Sequence, residues 1–93
     1  MKVIVDVHPQ GGVALRNLQV LCYGYIKVND FKDAFELQTG LERKYIERMI
    51  YNGKPISDSN TLASYGIHDQ ARLFCPMRNP GGHTRQELIS ANS

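Results

Sequence analysis

The most informative stretch of this chain reads Arg48-Met49-Ile50-Tyr51-Asn52-Gly53-Lys54-Pro55-Ile56, followed after a short polar loop by Thr61-Leu62 and Tyr65-Gly66-Ile67. Asn52-Gly53 separates two short apolar runs. An Asn-Gly pair in this position is the strongest short-range signal for a β-hairpin, because both residues of the turn must tolerate positive φ. The stretch therefore predicts a strand over Ile46–Tyr51 that turns at Asn52-Gly53 and returns over Lys54–Ile56.

The N-terminus predicts a further strand. Apolar and polar residues alternate over Met1–Val7, which is typical of a half-buried strand. His8–Gly12 contains a proline and a Gly-Gly pair, so it predicts a turn. The side chains expected on the buried face are Val3, Val5 and Val7.

Two more strands are predicted on either side of the central hairpin. One falls within Val13–Tyr25 and is best defined over Leu18–Tyr23, but both of its alternating sets of side chains are apolar, so the buried set stays open. The other is the last strand, Ala71–Met77, which we expect Pro76 to interrupt because proline has no N–H for a ladder.

One helix is predicted over Asn29–Thr39. Asn29 is a candidate N-cap, and Asp30 and Asp33 would favour the positive end of the helix dipole. Gly40 can adopt the left-handed conformation that ends a helix. Helical spacing puts one stripe of residues on the buried face: Phe31, Ala34, Phe35, Gln38 and Leu41.

The order of these elements predicts an α+β domain. Two strands, a helix and then more strands allow the helix to cover one face of a mixed sheet. Parallel pairing of the first and last strands needs a long crossover, and the middle of this chain provides one.

The chain resembles the ubiquitin-like protein family over Met1–Gly82, closely from Gly40 onward and loosely over His8–Val28. The resemblance implies an α+β β-grasp fold, a mixed four- to five-stranded sheet packed on one main helix. It also implies a ubiquitin-like domain over residues 1–79 and a flexible tail over residues 80–93. The positions that carry it, without a gap from Arg48 to Gly82, are Gly40, Arg48, Ile50, Gly53, Lys54, Asp58, Thr61, Leu62, Tyr65, Ile67, Leu73, Arg78, Gly81 and Gly82.

The resemblance also implies a protein-binding surface on the sheet. Ile50 matches the isoleucine at the centre of the family's recognition patch. The last strand, which should lie beside it, has an aromatic residue and a proline where the family has a histidine and a valine. The residues expected to contact a partner are Arg48, Ile50, Lys54, Phe74 and Pro76. An inward Phe74 would remove this surface, so its orientation is the main structural question. The family further implies that the Tyr65 hydroxyl ties down the preceding loop and that Leu62 and Ile67 belong to the core.

Gly81-Gly82 leaves two functions open. Family members that act as covalent modifiers end in Gly-Gly, and His83–Ser93 would then be a propeptide removed after Gly82. Pro80 stiffens such a tail and removes an N–H, and Pro-Gly-Gly is also a common linker. The main hypothesis is therefore a non-catalytic domain that recognises proteins of the ubiquitin and proteasome pathways. The alternatives are a modifier precursor or, in the same fold, a sulfur carrier.

Composition and motifs exclude several other classes. A net charge of +2 is too small to favour a nucleic acid or membrane surface, and no apolar run approaches the roughly 20 residues of a membrane span. Met1–Asp6 puts an acid where a secretory signal is apolar, which indicates the cytoplasm or nucleus. No nucleotide-binding or nucleophile motif is present, so the chain is predicted not to be an enzyme and to need no cofactor.

The cysteines and histidines follow no recognisable metal-binding spacing. The two cysteines, Cys22 and Cys75, are predicted to be free thiols, and the histidines are His8, His68 and His83. The expected partners are ubiquitin-binding domains, proteasomal receptors or enzymes of the ubiquitin pathway, bound by a monomer.

Overall fold

A computed structural model of the chain describes residues 1–78, and they form a five-stranded mixed sheet with one main helix. The strands are β1 (Lys2–Pro9), β2 (Leu15–Leu21), β3 (Ile50–Tyr51), β4 (Lys54–Pro55) and β5 (Arg72–Met77), and the helix α1 spans Val28–Thr39. The strand order is β2-β1-β5-β3-β4. The central pair, β1 and β5, is parallel, and the other pairs are antiparallel. This is the predicted β-grasp fold. The predicted tail and the Gly81-Gly82 pair lie outside the described residues.

The helix and the inner face of the sheet enclose a single apolar core. Val3, Val5 and Val7 are fully buried, as their alternation predicts. Phe31 and Phe35 of α1 are also fully buried. The remaining buried core residues of the described chain are Val20, Val28, Leu41, Ile46, Met49, Ile56, Leu62, Ile67, Ala71, Leu73, Cys75 and Met77.

The second strand has a defined phase. Val20 is fully buried and Leu18 is half-buried, whereas Leu21 is 65% exposed. The set that faces the core therefore contains Leu18, Val20 and Cys22. The strand also contains a bulge, because Asn17 has a φ of 62° and the register with β1 shifts between Val5 and Val7.

The helix begins one residue earlier than predicted, and the prediction that Asn29 caps it is wrong. Lys27 occupies the N-cap position and makes no side-chain cap hydrogen bond. The N–H groups of Val28 and Asn29 donate instead to the backbone carbonyls of Asn60 and Asp58, at 2.8 and 3.1 Å. With this start, Asp30 lies in the first turn and Asp33 beyond it.

The other end of the helix agrees with the prediction. Gly40 has a φ of 79°, and its N–H donates to the carbonyl of Glu36. Of the predicted apolar stripe, Phe31, Phe35 and Leu41 are buried, but Gln38 is exposed. Its amide donates to and accepts from the backbone of Leu21 at the edge of β2, so Gln38 joins the helix to the sheet through hydrogen bonds.

The hairpin strands are shorter than predicted. The turn itself is confirmed, with φ of 52° at Asn52 and 79° at Gly53. The preceding strand does not run continuously from Ile46. Ile46 pairs with Met77 and Ile50 with Phe74, so this segment carries one residue more than β5 opposite it and bulges.

Pro76 and Pro9 lie within strands where the sequence predicted an interruption and a turn. Pro76 does not interrupt β5 as predicted, because it has only to accept a hydrogen bond: its carbonyl takes the N–H of Glu47 at 3.1 Å. The predicted turn over His8–Gly12 begins later, since β1 continues through Pro9, which pairs with Met77. His8 is therefore a strand residue.

Tyr65 anchors the loop between β4 and β5, as the family resemblance implies. Its hydroxyl oxygen accepts the Ser57 N–H at 2.7 Å and the Asn60 side-chain amide at 3.0 Å. Leu62 and Ile67, on either side of it in sequence, are buried in the core. The same loop supplies the carbonyls that receive the first N–H groups of α1, so Tyr65 also supports the helix start.

Tyr65→Phe removes the acceptor of both hydrogen bonds and leaves the ring. We expect the free energy of unfolding to fall by about 1–2 kcal/mol, because the Ser57 N–H then loses its partner. Urea denaturation followed by circular dichroism measures the change. Tyr25→Phe is the matched control, since Tyr25 is 86% exposed and its variant should unfold like the wild type. Equal stability of the two variants would contradict the anchoring role.

Candidate functional site

The candidate site is the sheet face opposite α1, which we call the outer face. Along β5, Leu73, Cys75 and Met77 point into the core, so Arg72, Phe74 and Pro76 point outward. Phe74 is 39% exposed. The alternative in which Phe74 turns inward is therefore wrong.

Ile50 lies next to Phe74. The two residues are direct partners in the antiparallel pairing of β3 and β5, which brings their side chains onto the same patch of the outer face. Ile50 is half-buried, so part of its side chain remains accessible. Pro76 is also half-buried and follows two residues along β5 on the same face. The structure thus brings these three predicted residues together.

The two predicted cations, Arg48 and Lys54, occupy different positions relative to this patch. Arg48 is exposed and comes between Ile46, which pairs with Met77, and Ile50, so it lies near Pro76. Lys54 is exposed but pairs with Tyr51 one strand further out. It lines a cavity of about 490 Å³ together with Tyr51, Asn52, Pro55, Ile56 and Tyr65. Within residues 1–78 neither cation forms an ion pair, so both charges are available to a partner.

His8 is a site residue that sequence reasoning missed. Its ring contacts the ring of Phe74, with centroids 4.5 Å apart and planes tilted by 42°. The Pro-x-Gly-Gly sequence that follows indicated a turn, which hid this role. The alternation of Val3, Val5 and Val7 was the available signal, because it places His8 on the outer face if the strand continues.

An ion pair lies next to the patch, at Arg72, two residues before Phe74 along β5. Arg72 donates to both carboxylate oxygens of Asp6, at 2.7 and 2.8 Å, and the Asn17 N–H donates to Asp6 at 2.9 Å. The Asn17 N–H, together with the Arg72 guanidinium, lowers the pKa of Asp6 below its ordinary value. Asp6 thus links β1, β5 and the bulge of β2.

Asp6→Asn should destabilise the fold in a pH-dependent way. Because the folded-state pKa is lowered, the stabilisation is present above the ordinary pKa of 3.8 and is lost as the pH falls through the folded value. We expect a loss of about 1 kcal/mol near neutral pH and a shrinking difference below about pH 4. Urea denaturation near neutral pH and again below about pH 4 measures the difference in free energy of unfolding between Asp6→Asn and the wild type. Glu47→Gln is the surface control. A pH-independent difference would contradict this role for the carboxylate.

Catalytic and metal chemistry finds little support in the described part of the chain. Cys22 and Cys75 are both free. Burial raises the pKa of both thiols, that of Cys75 to about 12, so both are protonated near neutral pH. No group of three or more potential metal-ligating side chains comes together within residues 1–78. Nor does any helix in that range have the length and apolarity to cross a bilayer.

Comparison with known proteins identifies the family. No curated protein sequence gives a significant match to the chain. A family model described as the ubiquitin family matches residues 15–80, well over half of the 93 residues. That match includes α1, the hairpin and β5, and the last two of these carry Ile50, Phe74 and Pro76 of the outer face. Taken with the β-grasp topology, it shows that this chain belongs to the ubiquitin family.

Proposed function

We propose that this chain is a non-catalytic recognition domain that binds proteins of the ubiquitin and proteasome pathways through its outer face. Ubiquitin-like domains in general bind proteins and in general are not enzymes. The observation that carries the proposal is the direct pairing of Ile50 with an outward Phe74. It creates an accessible apolar patch at the centre of a sheet whose opposite face is closed by the helix.

The chemistry around the patch supports a protein partner. Partly exposed isoleucine and aromatic side chains are suited to anchor a helix or a small folded domain, since buried apolar anchors supply most of the affinity at such interfaces. Arg48 and Lys54, both exposed, would contribute charge complementarity, which favours fast association and selects among partners. The proposed partners are ubiquitin-binding domains, proteasomal receptors or pathway enzymes, met in the cytoplasm or nucleus.

Nuclear magnetic resonance tests the location of the surface. The isotopically labelled chain is titrated with a panel of ubiquitin-binding domains, and backbone shift changes are mapped. We expect the changes to concentrate on the strands around Ile50 and Phe74. Changes confined to Tyr23, Tyr25 and Leu37, the most exposed apolar side chains of the described part, would contradict the proposed surface.

The Gly81-Gly82 pair favours a second function, a modifier matured after Gly82. A sulfur carrier would need the same free glycine carboxylate. The tagged chain is expressed in its native cells as wild type and as Gly82→Ala, and its products are analysed by mass spectrometry. Intact chains without high-mass conjugates support the recognition domain. Conjugates or a chain ending at Gly82, both lost in the variant, support maturation.

A further inference from the structure

His8 adds a titratable side chain to the β1 border of the apolar patch formed by Ile50, Phe74 and Pro76. Its ring contacts Phe74, and its backbone lies opposite Pro76 in the parallel pairing of β1 and β5. Histidine is the side chain that ordinarily changes charge between about pH 5 and 8. An imidazolium in contact with an aromatic ring is held by cation–π attraction, so protonation and the outward position of Phe74 can coexist.

The fixed charges around His8 are mostly positive. Asp6, the nearest acid along β1, is already engaged by Arg72 and by the Asn17 N–H. Arg78 donates to the carbonyl of Lys44 and keeps its charge. The charged side chains on the elements that surround His8 are Lys2 and Asp6 on β1, Arg16 on β2, Arg72 on β5, Arg78 just after it, and Glu47 and Arg48 before β3. After the Asp6–Arg72 pair is set aside, one lysine and three arginines remain against one glutamate.

We propose that His8 makes the outer face a pH-sensitive docking site, which when protonated prefers a helix with acidic side chains beside its apolar face. This inference rests on the proposed function and names the chemistry of the partner. Protonated His8 adds a positive charge on the β1 side of Pro76, while Arg48 lies on the β3 side, so an acidic side chain of the partner is attracted by both charges. Neutral His8 leaves the apolar contact with Ile50 and Phe74 but removes that attraction, so affinity falls as the pH rises.

Two synthetic amphipathic peptides serve as probes. They share a leucine-rich face and differ only in flanking residues, which are aspartates in one and asparagines in the other. Calorimetry measures their affinity at about pH 5.5 and about pH 8, which span the histidine range while aspartate stays ionised. We expect the wild type to bind the aspartate peptide about two- to fivefold more tightly at the lower pH, and the asparagine peptide almost equally at both.

Variants separate His8 from other titrating groups. His8→Gln should abolish the pH difference, whereas His68→Gln, on the exposed loop before β5, should keep it. In the free protein, the Phe74 ring-proton resonances should shift with pH in the wild type and stay constant in His8→Gln. A wild-type affinity that does not change with pH, a pH difference that survives in His8→Gln, or Phe74 resonances that ignore pH would overturn the inference.

Failure of the inference can be told from failure of the docking surface. If Ile50→Ala weakens peptide binding and the pH difference is absent, the docking surface stands and the role of His8 is overturned. If neither peptide binds at either pH, or if Ile50→Ala binds both like the wild type, the proposed surface and the role of His8 are both overturned.

Discussion

Phe35→Ala is expected to lower the free energy of unfolding by about 3–5 kcal/mol, a large part of the stability of a domain of this size. Phe35 is fully buried and lies in the middle of α1. Its ring contributes to the core that the helix shares with β1, β2 and β5, and truncation leaves a cavity that close-packed neighbours fill only partly. Most of the effect should appear as a lower midpoint in urea denaturation.

Leu37→Ala is the matched control for this prediction. It lies two residues away on the same helix and is 85% exposed, so its truncation should change the free energy of unfolding by no more than about 0.5 kcal/mol. Similar losses in the two variants would mean that α1 does not pack on the sheet through the face described. The arrangement of helix and sheet would then be wrong.

Ile50→Ala is expected to weaken binding of a ubiquitin-binding domain about tenfold or more, equivalent to at least about 1.4 kcal/mol. Ile50 is one of the two adjacent anchors of the patch, and its half-buried side chain also supports the fold, so stability must be measured alongside affinity. Calorimetry at a temperature where the variant remains folded separates the two effects. Phe74→Ala should produce a similar loss of affinity.

Leu21→Ala provides the control for the binding prediction. Leu21 is an exposed apolar residue of the same sheet, but it lies on the edge strand β2, away from β3 and β5. Its variant should bind like the wild type. If Leu21→Ala weakens binding and Ile50→Ala does not, the partner uses the other end of the sheet.

Local sequence signals predicted the parts of the fold that depend on neighbouring residues. Asn52-Gly53 predicted its turn because the required positive φ is a property of the two residues themselves. Gly40 predicted the helix end for the same reason. Alternation placed the buried valines of β1 correctly, since a strand with one polar face leaves no choice of phase.

Features that depend on distant partners could not be predicted in this way. The start of α1 is satisfied by carbonyls of the loop at residues 58–60, which no local cap motif reveals. The phase of β2 stayed open because both of its faces carry apolar residues. His8 was assigned to a turn because its strand partners on β5 are more than sixty residues away in the chain.

The candidate site was only partly accessible to sequence reasoning. Family resemblance pointed to Ile50 and to the strand beside it, and the structure shows Phe74 facing outward next to Ile50. Family resemblance could not show that Asp6 and Arg72 pair beside the patch, or that the His8 ring contacts Phe74. Whether these residues bind a partner stays a prediction.

Intermolecular nuclear Overhauser effects test the central claim most directly. The chain, with labelled isoleucine methyl groups and phenylalanine rings, is mixed with an unlabelled ubiquitin-binding domain that it binds in solution. The account predicts that protons of the partner give contacts to the Ile50 methyl groups and to the Phe74 ring. Saturated binding in which the partner contacts neither side chain, and instead contacts the exposed face of α1, would contradict it.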